Sequence, residues 1–195
     1  MPSKKEGTMK KKELQYFEAL YDVARVINAS LEPARVLEKI VRCVQDSMKV
    51  KACSIRLLDE RRKRLLMSAA AGLSRKYIRK GPVLIEESGL DRKALQGKMT
   101  WVRDAQKDRG FQYTEEAREE GIKSVFVVPL QVGKKVIGVM RVYTREIRPF
   151  SKQEIRFLEA VANLSAIALE NAQMHQSLRT SYDLLTAHKY RLDDN

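Results

Sequence analysis

Two arginines lie inside segments that are otherwise apolar and strand-like, and they are the first candidates for binding chemistry. Arg56 lies in SIRLL and Arg141 lies in GVMRVYT. A guanidinium group is costly to bury without a partner, and its planar fork suits bidentate recognition of a carboxylate or a phosphate. The alternative is that each arginine pairs with an acid of the chain, such as Asp104, or reaches solvent at a sheet edge.

The cysteines and histidines of this sequence do not have the spacing or position that a catalytic or metal-binding site requires. Cys43 and Cys53 have no CxxC partner and no metal-ligand spacing, which favours buried, reduced thiols. His175 and His188 both fall near the carboxyl end, where they cannot serve a cleft in the rest of the chain. The GxSxG, HExxH, Walker-type and GxGxxG spacings do not occur. We therefore expect no enzyme activity, no catalytic residues and no metal site.

The composition is that of a globular protein, with 44% hydrophobic and 32% charged residues among 195. The net charge of +13 raises nucleic acid or acidic lipid as a partner, and much of the excess lies in residues 56–80. No nucleic-acid-binding motif accompanies that segment, so a solvated basic face is favoured. The longest apolar run, residues 125–130, is far too short to span a bilayer, and no signal peptide is evident. These features predict a cytoplasmic protein without membrane contact.

Hydrophobic periodicity places helices towards both ends of the chain and strands between them. Apolar residues recur every three or four positions in residues 14–27 and 36–48, which predicts two amphipathic helices. Residues 52–58 and 65–71 are typical of an antiparallel strand pair. Residues 122–130 and 136–143 form the clearest hairpin, around a Gly-Lys-Lys turn. Ser151 and Glu154 form a capping box that begins the last helix.

The last helix is too long for the domain that precedes it. Its apolar series runs from Leu158 to Leu192 in steps near three and four, and about 40 helical residues span about 60 Å at about 1.5 Å per residue. A domain of this size cannot cover that length. We therefore expect a homodimer in which this helix packs against its copy and against the first helix.

The sequence resembles the GAF domain, a widespread module for small-molecule sensing and dimerisation, over about residues 14–175. The strongest segments are SVFVVPLQVGKKVIGVMRVYT and FSKQEIRFLEAVANLSAIALENA. They contain a strand ending in Val-Pro-Leu, a glycine turn, a strand with Ile-Gly-Val, and a Phe-Ser corner before a helix. The segments ASLEPARVLEKIV, WVRDAQKD and YTEEAREEGIKS add weaker support.

The resemblance implies an α+β fold with a central antiparallel sheet of five or six strands. The first, second and last helices would cover one face of the sheet. A loop-rich roof, from about residue 74 to 121, would cover the other face and enclose a small-molecule pocket. The strands carrying Arg56 and Arg141 would be neighbours, so both side chains could reach that pocket.

Aromatic and acidic residues of the roof and the central strands complete the candidate site. Aromatic residues there are pocket walls or, more commonly, core packing, and an aspartate there orients a pocket arginine or caps a turn. The candidate ligand-binding residues are Arg56, Trp101, Asp104, Phe111, Phe126 and Arg141.

The specialised branches of the family do not match these residues. The ordered Asn-Lys-Phe-Asp-Glu set of the cyclic-nucleotide branch is missing, and Cys43 and Cys53 are misplaced for bilin attachment. Neither histidine lies where a haem ligand would be needed. Methionine-sulfoxide reduction would require cysteines in the middle loops, which have none. The cofactor or ligand therefore stays unknown.

The combined expectation is a non-enzymatic GAF sensor that binds a small ligand, dimerises through its terminal helices and signals to a downstream protein or domain. Residues 1–12 would form a disordered basic tail, 13–175 the GAF domain, and 176–195 a helical extension for signalling or dimerisation. One alternative is a ligand-free GAF dimerisation scaffold. A less favoured alternative is a basic-surface adaptor for nucleic acid or an acidic partner.

Overall fold

The computed structural model describes residues 4–29, 32–59, 61 and 63–193. Three long helices and three short ones accompany six strands in the described part of the chain. The helices are α1 (Lys4–Ala29), α2 (Pro33–Met48), α3 (Arg75–Ile78), α4 (Gly89–Leu95), α5 (Thr114–Glu119) and α6 (Lys152–Asp193). The strands are β1 (Ala52–Leu58), β2 (Arg64–Ala71), β3 (Val83–Leu84), β4 (Thr100–Val102), β5 (Ser124–Val132) and β6 (Lys135–Thr144).

The six strands form one antiparallel sheet in the order β3-β2-β1-β6-β5-β4. β1 and β6 are therefore central neighbours, as expected for the strands that carry the two arginines. In their register Ser54 lies opposite Arg141, and Arg56 lies opposite Val139. The side chains of Arg56 and Arg141 are thus diagonal neighbours on the same face of the sheet. The predicted α+β architecture is confirmed.

The sheet separates two apolar cores because successive residues of a strand point to opposite faces. On one face, Ile55 and Met140 pack with α1, α2 and α6. On the other face, Val139 and Tyr143 pack with the roof, which contains α3, α4 and α5. The predicted division into a helix-bearing face and a roofed face is confirmed. Any group bound under the roof is separated from the long helices by a single layer of strands.

The sequence signals around the last helix are also confirmed. The Ser151 hydroxyl accepts a hydrogen bond from the Glu154 amide at 3.2 Å, and a Glu154 carboxylate oxygen accepts one from the Ser151 amide at 2.8 Å. These two bonds are the predicted capping box. The helix they begin is 42 residues long, close to the expected length.

Two details differ from expectation at the ends of the chain. Helix α1 begins at Lys4, so residues 4–12 are helical where we expected a disordered tail; residues 1–3 lie outside the described part. Lysine and glutamate are good helix formers, and this segment extends the amphipathic helix that follows it. Within α6, Leu158, Ala162 and Ser165 are buried in their own domain and are not available to a second subunit.

The side chains of Leu185, His188 and Leu192 lie outside the described part of the structure. None of the described helices combines the length and the apolar character needed to cross a membrane.

Candidate functional site

Arg56 and Arg141 both extend from the sheet towards the roof, and both are almost completely buried. Their exposed fractions are 0% and 1%. Period-two alternation explains this placement, because Ile55 and Met140, the residues next to them, face the helices. The structure therefore brings together the two arginines that the sequence singled out, but it gives them different partners.

Arg141 is neutralised by an acid of the roof. Its Nε donates to Oδ1 of Asp91 at 3.2 Å, and its Nη2 donates to Oδ2 of the same carboxylate. Asp91 lies in the first turn of α4 and is fully buried. Ser88, just before the helix, donates its hydroxyl hydrogen to the same carboxylate. Burial alone would lower the pKa of Arg141, but Asp91 raises it above the ordinary arginine value.

Arg56 has no such acid. Its Nη1 donates to the carbonyl oxygen of Leu65 at 3.4 Å, whereas its Nε and Nη2 are buried without a hydrogen-bond partner among the described protein atoms. Burial lowers the pKa of Arg56, yet an arginine keeps its proton in proteins. Arg56 is therefore a buried cation whose charge is not matched by an adjacent carboxylate.

Two further polar groups of the roof lie near Arg56. The Lys80 Nζ is 3.7 Å from the centre of the Tyr77 ring and 4.5 Å from that of Tyr113. Burial, followed by the charges of Arg56 and Arg141, lowers the pKa of Lys80 to about 6. The Tyr77 hydroxyl and the Lys80 Nζ are buried without a hydrogen-bond partner in the described structure. We call the group Arg56, Tyr77, Lys80, Asp91 and Arg141 the roof cluster.

The other predicted site residues divide between the two faces. Phe111 is buried under the roof, with its ring centre 5.9 Å from the Arg141 guanidinium carbon. Phe126 is in the helix-side core and packs on Phe150 at 4.8 Å between ring centres. Trp101 lies opposite Phe126 in the register, is 40% exposed, and donates to the Ser124 hydroxyl at 2.7 Å. Trp101 and Phe126 are thus on the face away from the roof cluster.

Asp104 does not reach either arginine. One of its carboxylate oxygens accepts a hydrogen bond from the Gln106 amide at 3.1 Å. This contact caps a turn, which was one of the two roles expected for this residue. The acid that pairs with Arg141 is Asp91 instead.

Sequence reasoning missed Tyr77, Lys80 and Asp91. The segment Ser88–x–x–Asp91 has the spacing of a helix cap, and its buried role as a partner for Arg141 follows only from how α4 folds over the sheet. Helix α3 is a single turn that was not predicted; it begins where the Ser74 hydroxyl accepts from the Tyr77 amide at 3.1 Å. That turn brings Tyr77 under the roof.

The residue types that support covalent or metal chemistry are not assembled in the described part of the chain. No cluster of three or more His, Cys, Asp or Glu side chains there could hold a metal ion. Cys53 is fully buried, and burial raises the pKa of its thiol far above the ordinary value. A thiolate is the reactive form of cysteine, so Cys53 is poorly suited to act as a nucleophile.

Comparison with known proteins agrees with this architecture. The family model for the GAF domain matches residues 30–170. This chain belongs to the GAF domain family. GAF domains are signal-sensing modules, generally sensory or regulatory in the proteins that contain them.

Relatives of this GAF domain include a methyl sulfide methyltransferase-associated sensor of Methanosarcina acetivorans, 30% identical over 161 residues. That match covers 78% of this chain but only 16% of the archaeal protein. This GAF domain therefore spans about one sixth of the length of that curated relative.

Solved GAF domains of two phosphoenolpyruvate-protein phosphotransferases have the same fold. The Acinetobacter domain is 27% identical with a TM-score of 0.69, over 81% of this chain and 94% of that one. The Coxiella burnetii domain is 18% identical with a TM-score of 0.75, over 85% of this chain and 98% of that one.

Proposed function

We propose that this GAF domain is a sensor that binds a small molecule between the sheet and the roof and signals through its terminal helices. The roof cluster carries the proposal, because Arg56, Tyr77 and Lys80 all have buried polar atoms without partners in the described structure. Roughly 90% or more of buried polar groups in proteins are hydrogen-bonded, so several unpaired ones close together indicate a place for a ligand. A relative named as a sensor supports the same role.

The proposed role is regulatory and not catalytic. The polar residues under the roof are arginine, lysine, tyrosine and an aspartate already paired with Arg141. They are suited to holding a ligand, and the buried thiol of Cys53 is poorly suited to attacking one. We place the protein in the cytoplasm, where it would act on a downstream signalling protein or domain.

We propose further that two copies associate through α1 and α6. These helices run side by side in the same direction, since Tyr16 stacks on Phe157 at 4.7 Å and Gln153 donates to Glu13 at 3.2 Å. Leu14, Phe17 and Tyr21 form an exposed apolar stripe on α1, and α6 exposes further large apolar residues. Those that share one side of α6 are Ile167, Met174, Leu178 and Tyr182.

A second copy is the occupant that suits this surface best. The exposed residues belong to two adjacent parallel helices, and a two-fold axis along them would place each stripe against its own copy. Apolar side chains at a spacing of three and four are what a helical bundle between subunits requires. The second half of α6 extends beyond its own domain and would pair there with the same segment of the partner.

Association is tested by sedimentation equilibrium of the purified chain. We expect a dimer that Leu178→Glu weakens at least tenfold. Thr180→Glu is the matched control, because it places the same charge on the side of α6 opposite the stripe of Met174, Leu178 and Tyr182, and it should leave the dimer intact. A wild-type monomer at concentrations near 100 μM would contradict the proposed helix-mediated dimer.

Ligand binding is tested by native mass spectrometry of the gently purified protein, followed by a thermal-shift screen against metabolites. We expect a reproducible added mass or a compound that raises the melting temperature. A chain that carries nothing and responds to no compound would contradict the sensor function. The second candidate, a ligand-free dimerisation scaffold, would then be favoured, and the close packing of Phe111, Tyr77 and Tyr143 under the roof is the observation that supports it.

A further inference from the structure

The unpaired part of Arg56 is one complete edge of its guanidinium group. Nε and Nη2, the two nitrogens of that edge, both lack a partner in the described structure, while Nη1 on the other side reaches Leu65. The residue is fully buried. An edge with two parallel N–H groups is the part of arginine that binds carboxylates and phosphates in bidentate fashion.

Arg141 shows in the same molecule what this edge binds. Its Nε and Nη2, the same two nitrogens, donate to the two oxygens of the Asp91 carboxylate. The two arginines are diagonal neighbours on adjacent strands and face the same roof. The Nε–Nη2 edge of Arg141 therefore binds a carboxylate of the chain itself. The same edge of Arg56 has no oxyanion partner in the described structure.

The charges around Arg56 favour an anion over a neutral group. Arg56 and Arg141 are both cationic, and the one carboxylate that contacts either of them in the described structure, Asp91, is paired with Arg141. A buried water molecule could accept hydrogen bonds from Nε and Nη2, but it would not compensate the positive charge. An oxyanion would satisfy both N–H groups and the charge together.

We propose that Arg56 binds an oxyanion of a small molecule, a carboxylate or a phosphate group, through its Nε and Nη2, with the Tyr77 hydroxyl and Lys80 Nζ as further donors. Arg141 does not bind the oxyanion in this arrangement, because its Nε and Nη2 already donate to the Asp91 carboxylate. The inference rests on the sensor function proposed above and gives that sensor a class of ligand.

A surface cleft lies beside one residue of the roof cluster. Tyr77 lines an open cleft of about 620 Å³ together with Ser74, Lys76, Glu116, Glu119 and Glu120. The cleft is less acidic than that lining implies: Glu119 pairs with Lys76 at 2.6 Å and Glu120 pairs with Lys51 at 2.8 Å.

The experiment is a titration of the full chain followed by two-dimensional NMR of the arginine Nε–Hε groups. The probes are acetate, inorganic phosphate and acetamide, each added to dialysed protein at low ionic strength. We expect the Arg56 signal, assigned from its loss in Arg56→Lys, to shift with acetate or with phosphate. The apparent Kd should be at least tenfold lower than for acetamide, the neutral analogue of acetate. The tighter of the two anions then identifies the group that the ligand carries.

Arg56→Lys retains the charge and removes the fork, so it should weaken binding of that anion at least tenfold, as measured from the Nε–Hε signal of the neighbouring Arg141, which both proteins retain. Arg79→Lys is the matched control at an exposed position of the same roof and should leave the affinity within twofold. Equal affinity in Arg56→Lys, equal affinity for acetamide, or an unmoved Arg56 signal at 50 mM of both anions would overturn the inference.

The outcomes separate this inference from the sensor function. A neutral metabolite that binds under the roof and does not depend on Arg56 would overturn the anion assignment and leave the sensor function standing. Anion binding at Arg56 that leaves the α6 signals unchanged would support the assignment and contradict signalling through the helix.

Discussion

Replacing Arg56 with methionine should make the ligand-free protein more stable. Methionine is an unbranched, shorter side chain without charge, and Arg56 is fully buried with two nitrogens, Nε and Nη2, that have no hydrogen-bond partner in the described structure. The substitution therefore removes a buried positive charge. No carboxylate of the described structure contacts that charge to compensate the cost of burying it. Sites that bind ligands commonly reduce stability in this way, because the groups that wait for the ligand are unsatisfied without it.

The size of the effect follows from the contacts of Arg56. Each buried unsatisfied donor costs about 1–3 kcal/mol, and loss of the hydrogen bond to the Leu65 carbonyl, long at 3.4 Å, costs at most about 1 kcal/mol. Replacement of buried charge by an apolar residue is often stabilising by about 1–4 kcal/mol. We expect a gain of about 1–3 kcal/mol in the free energy of unfolding, or about 3–10 °C in melting temperature for a chain of this size.

The assay is urea unfolding of wild type and Arg56→Met, both refolded from urea and dialysed so that no ligand is carried over. Arg141→Met is the matched comparison on the neighbouring strand. It leaves the fully buried Asp91 carboxylate without its partner, and breaking such a pair costs about 3–5 kcal/mol. The same substitution at two adjacent arginines should therefore have opposite signs.

A loss of stability in Arg56→Met as large as in Arg141→Met would refute this reasoning. It would mean that Arg56 is compensated in the folded protein and contributes to stability as Arg141 does. The fork of Arg56 would then have no need of a ligand, and the anion assignment would lose its main support.

Three further predictions follow from the same geometry. Between pH 6 and about 10 the unfolded chain binds a proton that the folded protein lacks at Lys80, whose pKa is about 6. Urea unfolding should therefore show stability rising with pH by at most about 1.4 kcal/mol per unit, a slope that Lys80→Met reduces. Trp101→Phe should leave the affinity of a roof ligand within twofold in calorimetry, because the indole bonds to Ser124 on the other face. Gly138→Ala should cost about 1–3 kcal/mol in urea unfolding, since its Cβ would lie 2.4 Å from the Arg56 carbonyl oxygen.

Apart from the single turn of α3, the order of the elements was predictable from the sequence because it depends on local patterns. Strand β1 has the predicted bounds, and the hairpin of β5 and β6 and the capping box of α6 are where the periodicity placed them. Each of these signals involves residues a few positions apart. Side-chain direction was predictable for the same reason, and strict alternation in β5 already separates Phe126 from Val125 and Val127.

The partners under the roof were not predictable because they are distant in the chain. Asp91 and Arg141 are 50 positions apart, and nothing in either segment distinguishes Asp91 from Asp104 as the acid that arrives there. Lys80 lies in a basic segment that indicated a solvated face. Its burial follows from α3, a single turn too short to give a periodic signal. The sequence therefore predicted the two arginines and Phe111 as neighbours under the roof. It did not predict Tyr77, Lys80 and Asp91.

The position of Arg56 also indicates how binding could reach the helices. Arg56 and Ile55 are consecutive in β1, and Ile55 packs with the helix-side core that includes Leu158 and Ala162 of α6. Gly138 of β6 allows close approach to the backbone at Arg56, so the two central strands are tightly coupled there. An anion that pulls the Arg56 side chain towards the roof would shift one strand of a closely packed pair, and closely packed cores transmit such shifts. The shift would reach α6 near Leu158, and the exposed apolar residues of α6 lie further along the same helix. Ile55→Val should weaken the packing of β1 against α6. We expect it to leave the anion affinity unchanged, measured from the NMR signal of Arg56, and to reduce the shift that the anion causes in the NMR signal of Leu178.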